Sequence, residues 1–156
     1  GRIPDRVPWG DRVLHYTLVH DGKIWVMGGQ TLPQFAPSVP EAIFYNDVWN
    51  TADGAHWTRV TASAPWPPRG MIGGSAVFKG RMWILGGGAY DTPTTPARKF
   101  YSDVWSSADG DNWKELPDTP WAPRHAASVF VYGHALWMVA GNNMFPDVWK
   151  LVRTTP

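Results

Sequence analysis

The sequence predicts an all-β protein built from three copies of one four-stranded antiparallel unit. The chain has 156 residues, of which 44% are hydrophobic, and this composition is typical of a globular protein. Its 16 Gly and 15 Pro interrupt most windows long enough for a helix, so they favour short strands joined by tight turns. Its 11 Trp recur with a spacing of about 55 residues, which indicates an internal repeat.

The eleven tryptophans occupy four repeating positions. One ends an apolar run before small residues, one follows Asp-Val, one follows an Asp-Gly turn, and one follows a proline and precedes an arginine by three. In that order they are Trp25, Trp83 and Trp137; Trp49, Trp105 and Trp149; Trp57 and Trp113; and Trp9, Trp66 and Trp121. A period of about 55 residues is typical of propeller blades and longer than the period of helical solenoids.

Each copy is predicted to contain strands a, b, c and d in chain order. Strand a is apolar and predicted to be innermost, strand b follows a short turn, strand c carries Asp-Val-Trp, and strand d begins at a tryptophan. The predicted ranges are 16–19, 74–78 and 127–131 for strand a, 24–27, 82–85 and 136–139 for strand b, and 57–60 and 113–116 for strand d. Strands c and d join at Asp53-Gly54 and Asp109-Gly110, which are strong hairpin signals because such turns need positive φ.

These motifs resemble the kelch repeat of galactose-oxidase-like β-propellers, of bacterial type. The resemblance rests on Gly28-Gly29 and Gly86-Gly87 after strand b, an aromatic residue in strand c and a Trp in strand d; the third copy has Ala140-Gly141 instead. It implies a kelch-type β-propeller with three four-stranded blades in a single domain, residues 1–156. The blades are expected at 11–60, 69–116 and 124–152.

The third copy has no fourth strand, whereas the first residues of the chain resemble the end of one. Aligning 114–124 with 1–12 places Ile3 on Leu116, so residues 1–8 are expected to complete the last blade of a partner. Propellers typically have about four to eight blades. We therefore expect two chains to form a six-bladed ring as a head-to-tail homodimer. The alternative is that the chain is an excised fragment of a longer propeller.

Arg12, Arg69 and Arg124 are the first candidates for ligand binding, because each begins the segment that leads into a strand a. In kelch propellers this segment lies at the mouth of the central channel, so the resemblance implies a ring of arginines there. Guanidinium groups bind carboxylates and phosphates through two parallel hydrogen bonds. The alternative is structural: each arginine pairs with a carbonyl or carboxylate and fixes the loop between blades.

The same loops carry further candidates. Trp9, Trp66 and Trp121 present aromatic faces that can stack on sugars or cations, or can pack between adjacent blades instead. His125 follows Arg124 and is expected near the channel, where it either contacts a ligand or has a structural role.

The segments between strands b and c are long in two copies, 30–46 and 88–102, and short in the third, 142–146. Insertions of unequal length in a regular repeat often carry binding specificity. The residues expected to determine it are Phe44, Tyr45, Tyr90, Arg98 and Tyr101. The alternative is a solvated loop with no role in binding.

Several kinds of chemistry are not expected. The chain has no Cys, so disulfides and thiolate sites are excluded, and its five His lack metal-ligand spacing. The net charge of +1 favours neither nucleic acid nor an anionic membrane as a partner. No catalytic residue, metal or cofactor is predicted, and the repeated Asp47, Asp103 and Asp147 are expected to be structural. Nothing in the sequence fixes the compartment.

The function predicted from these residues is a non-enzymatic kelch-repeat module that recognises a protein partner or a small anionic ligand, such as an acidic sugar, at the channel mouth. An alternative is an enzyme resembling the kelch-type sialic acid mutarotases, or epimerases. Such an enzyme needs an acid/base carboxylate, and of the two glutamates, Glu41 and Glu115, only Glu41 lies in a loop. A further alternative is a structural propeller with no ligand.

Overall fold

The computed structural model describes residues 6–94, 97–142 and 144–152, and every regular element in them is a β-strand. The strands are β1 (Tyr16–His20), β2 (Lys23–Met27), β3 (Gln30–Thr31), β4 (Ile43–Phe44), β5 (Val48–Thr51), β6 (Thr58–Thr61), β7 (Gly74–Phe78), β8 (Arg81–Leu85), β9 (Gly88–Ala89), β10 (Lys99–Phe100), β11 (Val104–Ser107), β12 (Trp113–Glu115), β13 (Ser128–Tyr132), β14 (Ala135–Val139) and β15 (Val148–Leu151). The all-β prediction is therefore confirmed. A helix long and apolar enough to cross a membrane is not found in the described part of the chain.

Three antiparallel sheets contain most of the strands. The first sheet has the order β1-β2-β5-β6, the second β7-β8-β11-β12, and the third β13-β14-β15. Chain order and spatial order agree in each sheet, as expected for successive hairpins. The strands match the predicted ranges of strands a, b and d to within one residue at each end, and strand c begins at the Val of each Asp-Val-Trp motif.

The same register recurs in each sheet because the sequence repeats. Tyr16 pairs with Met27 in the first sheet, and Gly74 pairs with Leu85 in the second. The indole Nε1 of the strand b tryptophan donates a hydrogen bond of 2.8 to 2.9 Å to the carbonyl that ends strand a, and this closes the hairpin. The donor and acceptor pairs are Trp25 to His20, Trp83 to Phe78 and Trp137 to Tyr132.

The hairpins between strands c and d are held by an aspartate side chain. In the second sheet, Oδ1 of Asp109 accepts hydrogen bonds from the backbone N–H groups of Asp111 and Asn112. The Asn112 side chain donates to the same carboxylate, and these bonds lower the pKa of Asp109. Gly110 has a φ of +80°, so the turn uses glycine where positive φ is required. Asp53 makes the equivalent backbone contacts in the first sheet.

The three sheets pack side by side, with their strand a elements adjacent: β7 contacts β1 on one side and β13 on the other. The approach is close, since a Cβ added to Gly74 would lie 2.0 Å from Cγ2 of Val129. One apolar cluster fills the space between the first and second sheets, and another fills the space between the second and third. Strand a thus lies at the edge where neighbouring sheets converge.

Two short ribbons were not predicted. The long segments between strands b and c each fold back on themselves, as β3 paired with β4 and as β9 paired with β10. These segments therefore hold ordered backbone pairs close to the ends of the main sheets. The third sheet has a short segment here and, within residues 144–152, no fourth strand.

Candidate functional site

Each of the three arginines forms a bidentate ion pair with the aspartate of strand c in its own sheet. Nη1 and Nη2 of Arg69 lie 2.8 Å from Oδ1 and Oδ2 of Asp103. Arg12 bonds to Asp47 at 2.6 and 3.1 Å, and Arg124 bonds to Asp147 at 2.5 and 2.8 Å. The fork geometry of arginine matches a carboxylate, so the pairing fixes both side chains.

The tryptophan two residues after each aspartate completes the group. The indole Nε1 of Trp105 donates a hydrogen bond of 2.8 Å to Oδ2 of Asp103, and Trp49 and Trp149 do the same in the other sheets. The Asp-Val-Trp motif is therefore an arginine-binding motif. The pKa of Asp147 is lowered to about 2, first by its hydrogen bond from Arg124 and next by that from Trp149.

An aromatic ring covers each guanidinium. The guanidinium carbon of Arg12 lies 3.8 Å from the ring centre of Tyr45, and that of Arg69 lies 4.2 Å from the ring centre of Tyr101. In the third sheet Phe145 covers Arg124 at 4.5 Å. These distances are typical of cation–π contacts. The side chains of the three arginines are 2%, 0% and 1% exposed, in chain order.

A cationic ring formed by Arg12, Arg69 and Arg124 at the channel mouth stays a prediction, and the geometry of the three ion pairs argues against their being free to bind a ligand. Each guanidinium is buried, neutralised by a carboxylate and bonded to a backbone carbonyl at the end of strand b, at Gly28, Gly86 or Ala140. A ligand would have to displace an ion pair to reach any of them. The arginines tie the incoming loop to strands b and c, which is the structural alternative that the sequence left open.

The loop tryptophans pack against protein. Trp66 is fully buried between the first and second sheets, and its ring meets that of Trp113 edge-on at 5.9 Å. Trp9 makes the equivalent contact with Trp57 at 5.5 Å, whereas Trp121 contacts Trp149 at 5.7 Å. The packing alternative therefore describes these three residues better than an exposed stacking surface.

His125 lies against strand β10 with its ring stacked on Phe100, at 5.3 Å between centres and 10° between planes. Burial lowers the pKa of His125, and the positive charge of Arg98 lowers it further. Nδ1 of His125 is buried without a hydrogen-bond partner. The side chain is thus a neutral, packed ring beside the loop residues.

A groove of about 420 Å³ lies between the two ribbons, and three of the predicted loop residues meet there. Phe44 approaches from β4, and Tyr90 and Arg98 come from the segment that contains β9 and β10. The volume lies in the range of about 300 to 1,000 Å³ typical of small-molecule sites. The remaining residues of the wall are small or polar and comprise Ala42, Ala89, Thr92, Thr94, Ala97 and Lys99.

The groove wall carries two cationic side chains, Arg98 and Lys99. The Arg98 side chain is 61% exposed, in contrast to the three buried arginines, and its Nε donates to Oδ1 of Asp91 at 3.0 Å. The guanidinium carbon lies 5.8 Å from the Tyr90 ring, and this aromatic face supports it. The Asp91 side chain is itself 51% exposed, so the ion pair faces solvent. Another carboxylate can therefore replace that of Asp91 on Arg98.

Sequence reasoning placed Tyr45 and Tyr101 in the same binding set, but the structure turns both towards buried arginines. It also missed Ala42 and Ala89 on the groove wall. The sequence did contain a signal for the aromatic cover of the arginines: an aromatic residue stands two before the Asp in YNDVW, YSDVW and FPDVW. In the described part of the chain, no group of three acidic or histidine side chains has the geometry to hold a metal ion.

Comparison with known proteins adds evidence on the fold. No protein-family model matches the chain, and no curated protein matches it in sequence. Among solved structures it is similar to that of YjhT, with a TM-score of 0.66 and 18% identity over 86% of this chain. The chain spans 45% of the length of that structure, which is less than half. The likeness indicates that this chain has a kelch-like β-propeller fold.

Proposed function

We propose that this chain is a non-enzymatic, kelch-repeat binding module that recognises a small anionic ligand in the groove between its two ribbons. One observation carries the proposal: the groove brings Phe44, Tyr90 and the exposed Arg98 together. Phe44 and Tyr90 offer apolar and aromatic surface, and Arg98 offers a planar donor for a carboxylate. Lys99 adds a second cation to the wall.

The ion pair with Asp91 supports this choice of ligand. The carboxylate of Asp91 already accepts a hydrogen bond from the guanidinium of Arg98, and this bond lowers the pKa of Asp91. A ligand carboxylate that replaces it makes the same charge-assisted hydrogen bonds and gains contact with the aromatic wall. Because both side chains of the pair are solvent-exposed, breaking it costs little free energy.

A thermal-shift comparison of matched ligands tests the proposal. Glucuronate and glucose differ in one carboxylate, and a pair of short peptides, one rich in Glu and one rich in Gln, provides the same contrast for a protein partner. Bound ligand raises the melting temperature by mass action. We expect a shift with an acidic member and none with its neutral counterpart, and we expect Arg98→Ala to abolish it. An equal shift with both members, or none with either pair, would contradict the proposal.

The control variant for this experiment is Arg59→Ala. Arg59 is an exposed arginine on β6, with its guanidinium carbon 5.6 Å from the ring centre of Trp49, and it lies outside the groove wall. Removing it changes the net charge of the protein by the same amount as Arg98→Ala. A shift that disappears in both variants would mean that overall charge, and not the groove, attracts the ligand.

An enzyme resembling the kelch-type sialic acid mutarotases is the second candidate function. The observation in its favour is the position of Glu41, the loop glutamate, directly before Ala42 of the groove wall. A carboxylate there can exchange protons with a bound acidic sugar. NMR measurement of sialic acid anomer exchange tests this candidate: acceleration that is lost in Glu41→Gln would support it, and exchange at the uncatalysed rate would exclude it.

We also propose that two chains associate head to tail, with residues 1–8 of one completing the third sheet of the other; residues 1–5 of this segment lie outside the described part of the chain. The alignment of residues 1–12 with 114–124 supports this arrangement. Light scattering tests it, because a dimer has twice the monomer mass of 17.4 kDa. A monomer at high protein concentration would contradict the closed ring.

A further inference from the structure

A cavity of about 250 Å³ lies where the loop that leads into the first sheet meets β3 and the segment after it. The loop contributes Asp11, Arg12 and Val13, and none of the residues around the cavity belongs to the groove between the two ribbons. An apolar cavity of about 150 Å³ is large enough to hold benzene, so this one has room for a small organic molecule.

Hydrogen bonds hold the loop and β3 in a fixed arrangement. Val13 and Gln30 exchange two backbone hydrogen bonds of 2.9 Å. The hydroxyl of Thr31 donates to the backbone carbonyl of Asp11 at 2.6 Å. Two walls of the cavity are therefore tied to each other on both sides of the point where they meet.

The segment after β3 forms the third wall and presents an aromatic ring. The backbone N–H groups of Phe35 and Ala36 both donate to the carbonyl of Leu32. Pro33 and Pro37 restrict φ on either side of this turn. The Phe35 side chain is nevertheless 79% exposed, so a rigid segment holds an open aromatic face at the cavity. A preformed wall of this kind lowers the entropy cost of binding.

The cation and the hydroxyl of the wall have no donor left for a ligand. A guanidinium has five N–H groups, and those of Arg12 make five hydrogen bonds, to the backbone carbonyls of Trp9 and Gly28 and to the carboxylate of Asp47. The single hydroxyl hydrogen of Thr31 is used by the bond to the loop carbonyl. An anion therefore gains no hydrogen bond from either side chain.

Acceptors, in contrast, are available at the same wall. Asp11 is exposed, and among the described residues no cation forms an ion pair with its carboxylate. Oε1 of Gln30 is buried and accepts no hydrogen bond in the part of the chain that the structure describes. A buried acceptor without a partner is unfavourable. The wall thus offers negative charge and lone pairs, which suit a cationic donor.

We propose that this cavity binds the primary ammonium group of a small organic amine with an apolar stem. The ammonium pairs with the carboxylate of Asp11 and lies against the face of Phe35 in a cation–π contact. Its N–H groups match the unpartnered oxygen of Gln30, and the stem packs on Val13 and Leu32. The site prefers the opposite charge to the groove between the ribbons, and it does not depend on the function proposed for that groove.

Backbone amide NMR with butylamine as the probe and butanol as its neutral control tests the proposal. We expect butylamine to move the resonances of Val13 and Thr31 at the cavity and to leave those of Ala89 and Lys99 at the ribbon groove in place. Butanol should bind at least tenfold more weakly, because it brings no charge to the carboxylate or the ring. Equal binding of the two compounds, or movement at Ala89 and Lys99 alone, would overturn the proposal.

Two matched carboxylates separate the site from overall charge. Asp11→Asn should weaken butylamine binding about fivefold, as expected for the loss of an exposed ion pair. Asp21→Asn removes the same charge from the exposed turn between β1 and β2, at a positive φ that Asn tolerates, and should leave binding unchanged. Equal effects of the two substitutions would contradict a site at Asp11.

The contribution of the ring is tested by Phe35→Leu, which keeps apolar surface but removes the aromatic face. This variant should bind butylamine about two- to fivefold more weakly, and unchanged binding would contradict the cation–π contact. Nα-acetyl-lysine methylamide carries the same stem and ammonium as part of a peptide. Tighter binding of this compound than of butylamine would assign the ammonium to a lysine side chain, and weaker binding would assign it to a free amine.

Discussion

The guanidinium of Arg69 donates two parallel hydrogen bonds of 2.8 Å to the carboxylate of Asp103, and the arginine side chain is 0% exposed. The arginine belongs to the loop that enters the second sheet, and the aspartate stands at the start of strand c. The bond therefore joins segments 34 residues apart in the chain. The same link recurs in the first and third sheets, so it is a unit of the repeat.

Loss of this buried link is expected to be costly. Arg69→Ala leaves the carboxylate of Asp103 without its counterion, and breaking a buried pair from one side typically costs about 3 to 5 kcal/mol. Urea unfolding measures the loss. Arg59→Ala, at the exposed arginine over Trp49, is the control and should cost about 1 kcal/mol or less. Equal losses for the two variants would mean that the Arg69 link contributes no more than a surface contact.

Asp147 gives the fold a component of stability that acid removes. Hydrogen bonds from Arg124 and then Trp149 lower its pKa to about 2, whereas an aspartate in an unfolded chain titrates at about 3.9. A lowered pKa means that the stabilisation is complete above pH 3.9 and is lost as the pH falls towards 2. Asp147→Asn should therefore be less stable than the parent at pH 6, and the difference should shrink steadily below pH 4. Urea unfolding of the parent and the variant at pH 6 and below pH 4 checks this, and a stability difference independent of pH would contradict it.

Gly74 and Val129 set the distance between the second and third sheets. A Cβ on Gly74 would lie 2.0 Å from Cγ2 of Val129, so Gly74→Ala should destabilise the protein by about 1 to 3 kcal/mol through overpacking. Val129→Ala removes the obstructing methyl groups. The double variant should recover part of the stability lost by Gly74→Ala, as measured by thermal unfolding. Additive losses in the double variant would show that the two side chains do not compete for this space.

Most of the fold could be predicted from the sequence, because its strongest signal is repetition. The recurrence of Trp25, Trp83 and Trp137 locates strand b three times, and each copy supports the others. The ribbons β3–β4 and β9–β10 could not be predicted in the same way. Their segments differ in most of their sequence, and their strands also pair with the loops that lead into strand a, through the bridges from Val13 to Gln30 and from Met71 to Gly88.

The candidate site could be predicted only in part, for a related reason. Repetition of Arg12, Arg69 and Arg124 indicates a shared role, but it does not distinguish a ligand ring from an ion pair in each sheet. Phe44 repeats as Phe100, whereas Tyr90 and Arg98 do not repeat, so composition and loop length indicated these groove residues without showing that they meet. Tyr45 follows Phe44 directly yet covers Arg12, since adjacent residues of extended chain face opposite ways.

The most direct test of the proposed function is isothermal titration of glucuronate into three proteins: the parent chain, Arg98→Ala and Asp91→Asn. Asp91 is the carboxylate that competes with the ligand for Arg98, so Asp91→Asn should bind at least as tightly as the parent, and up to about fivefold more tightly. Arg98→Ala should bind at least tenfold more weakly. The same affinity in all three proteins, or weaker binding in Asp91→Asn, would contradict the account of an anion-binding groove centred on Arg98.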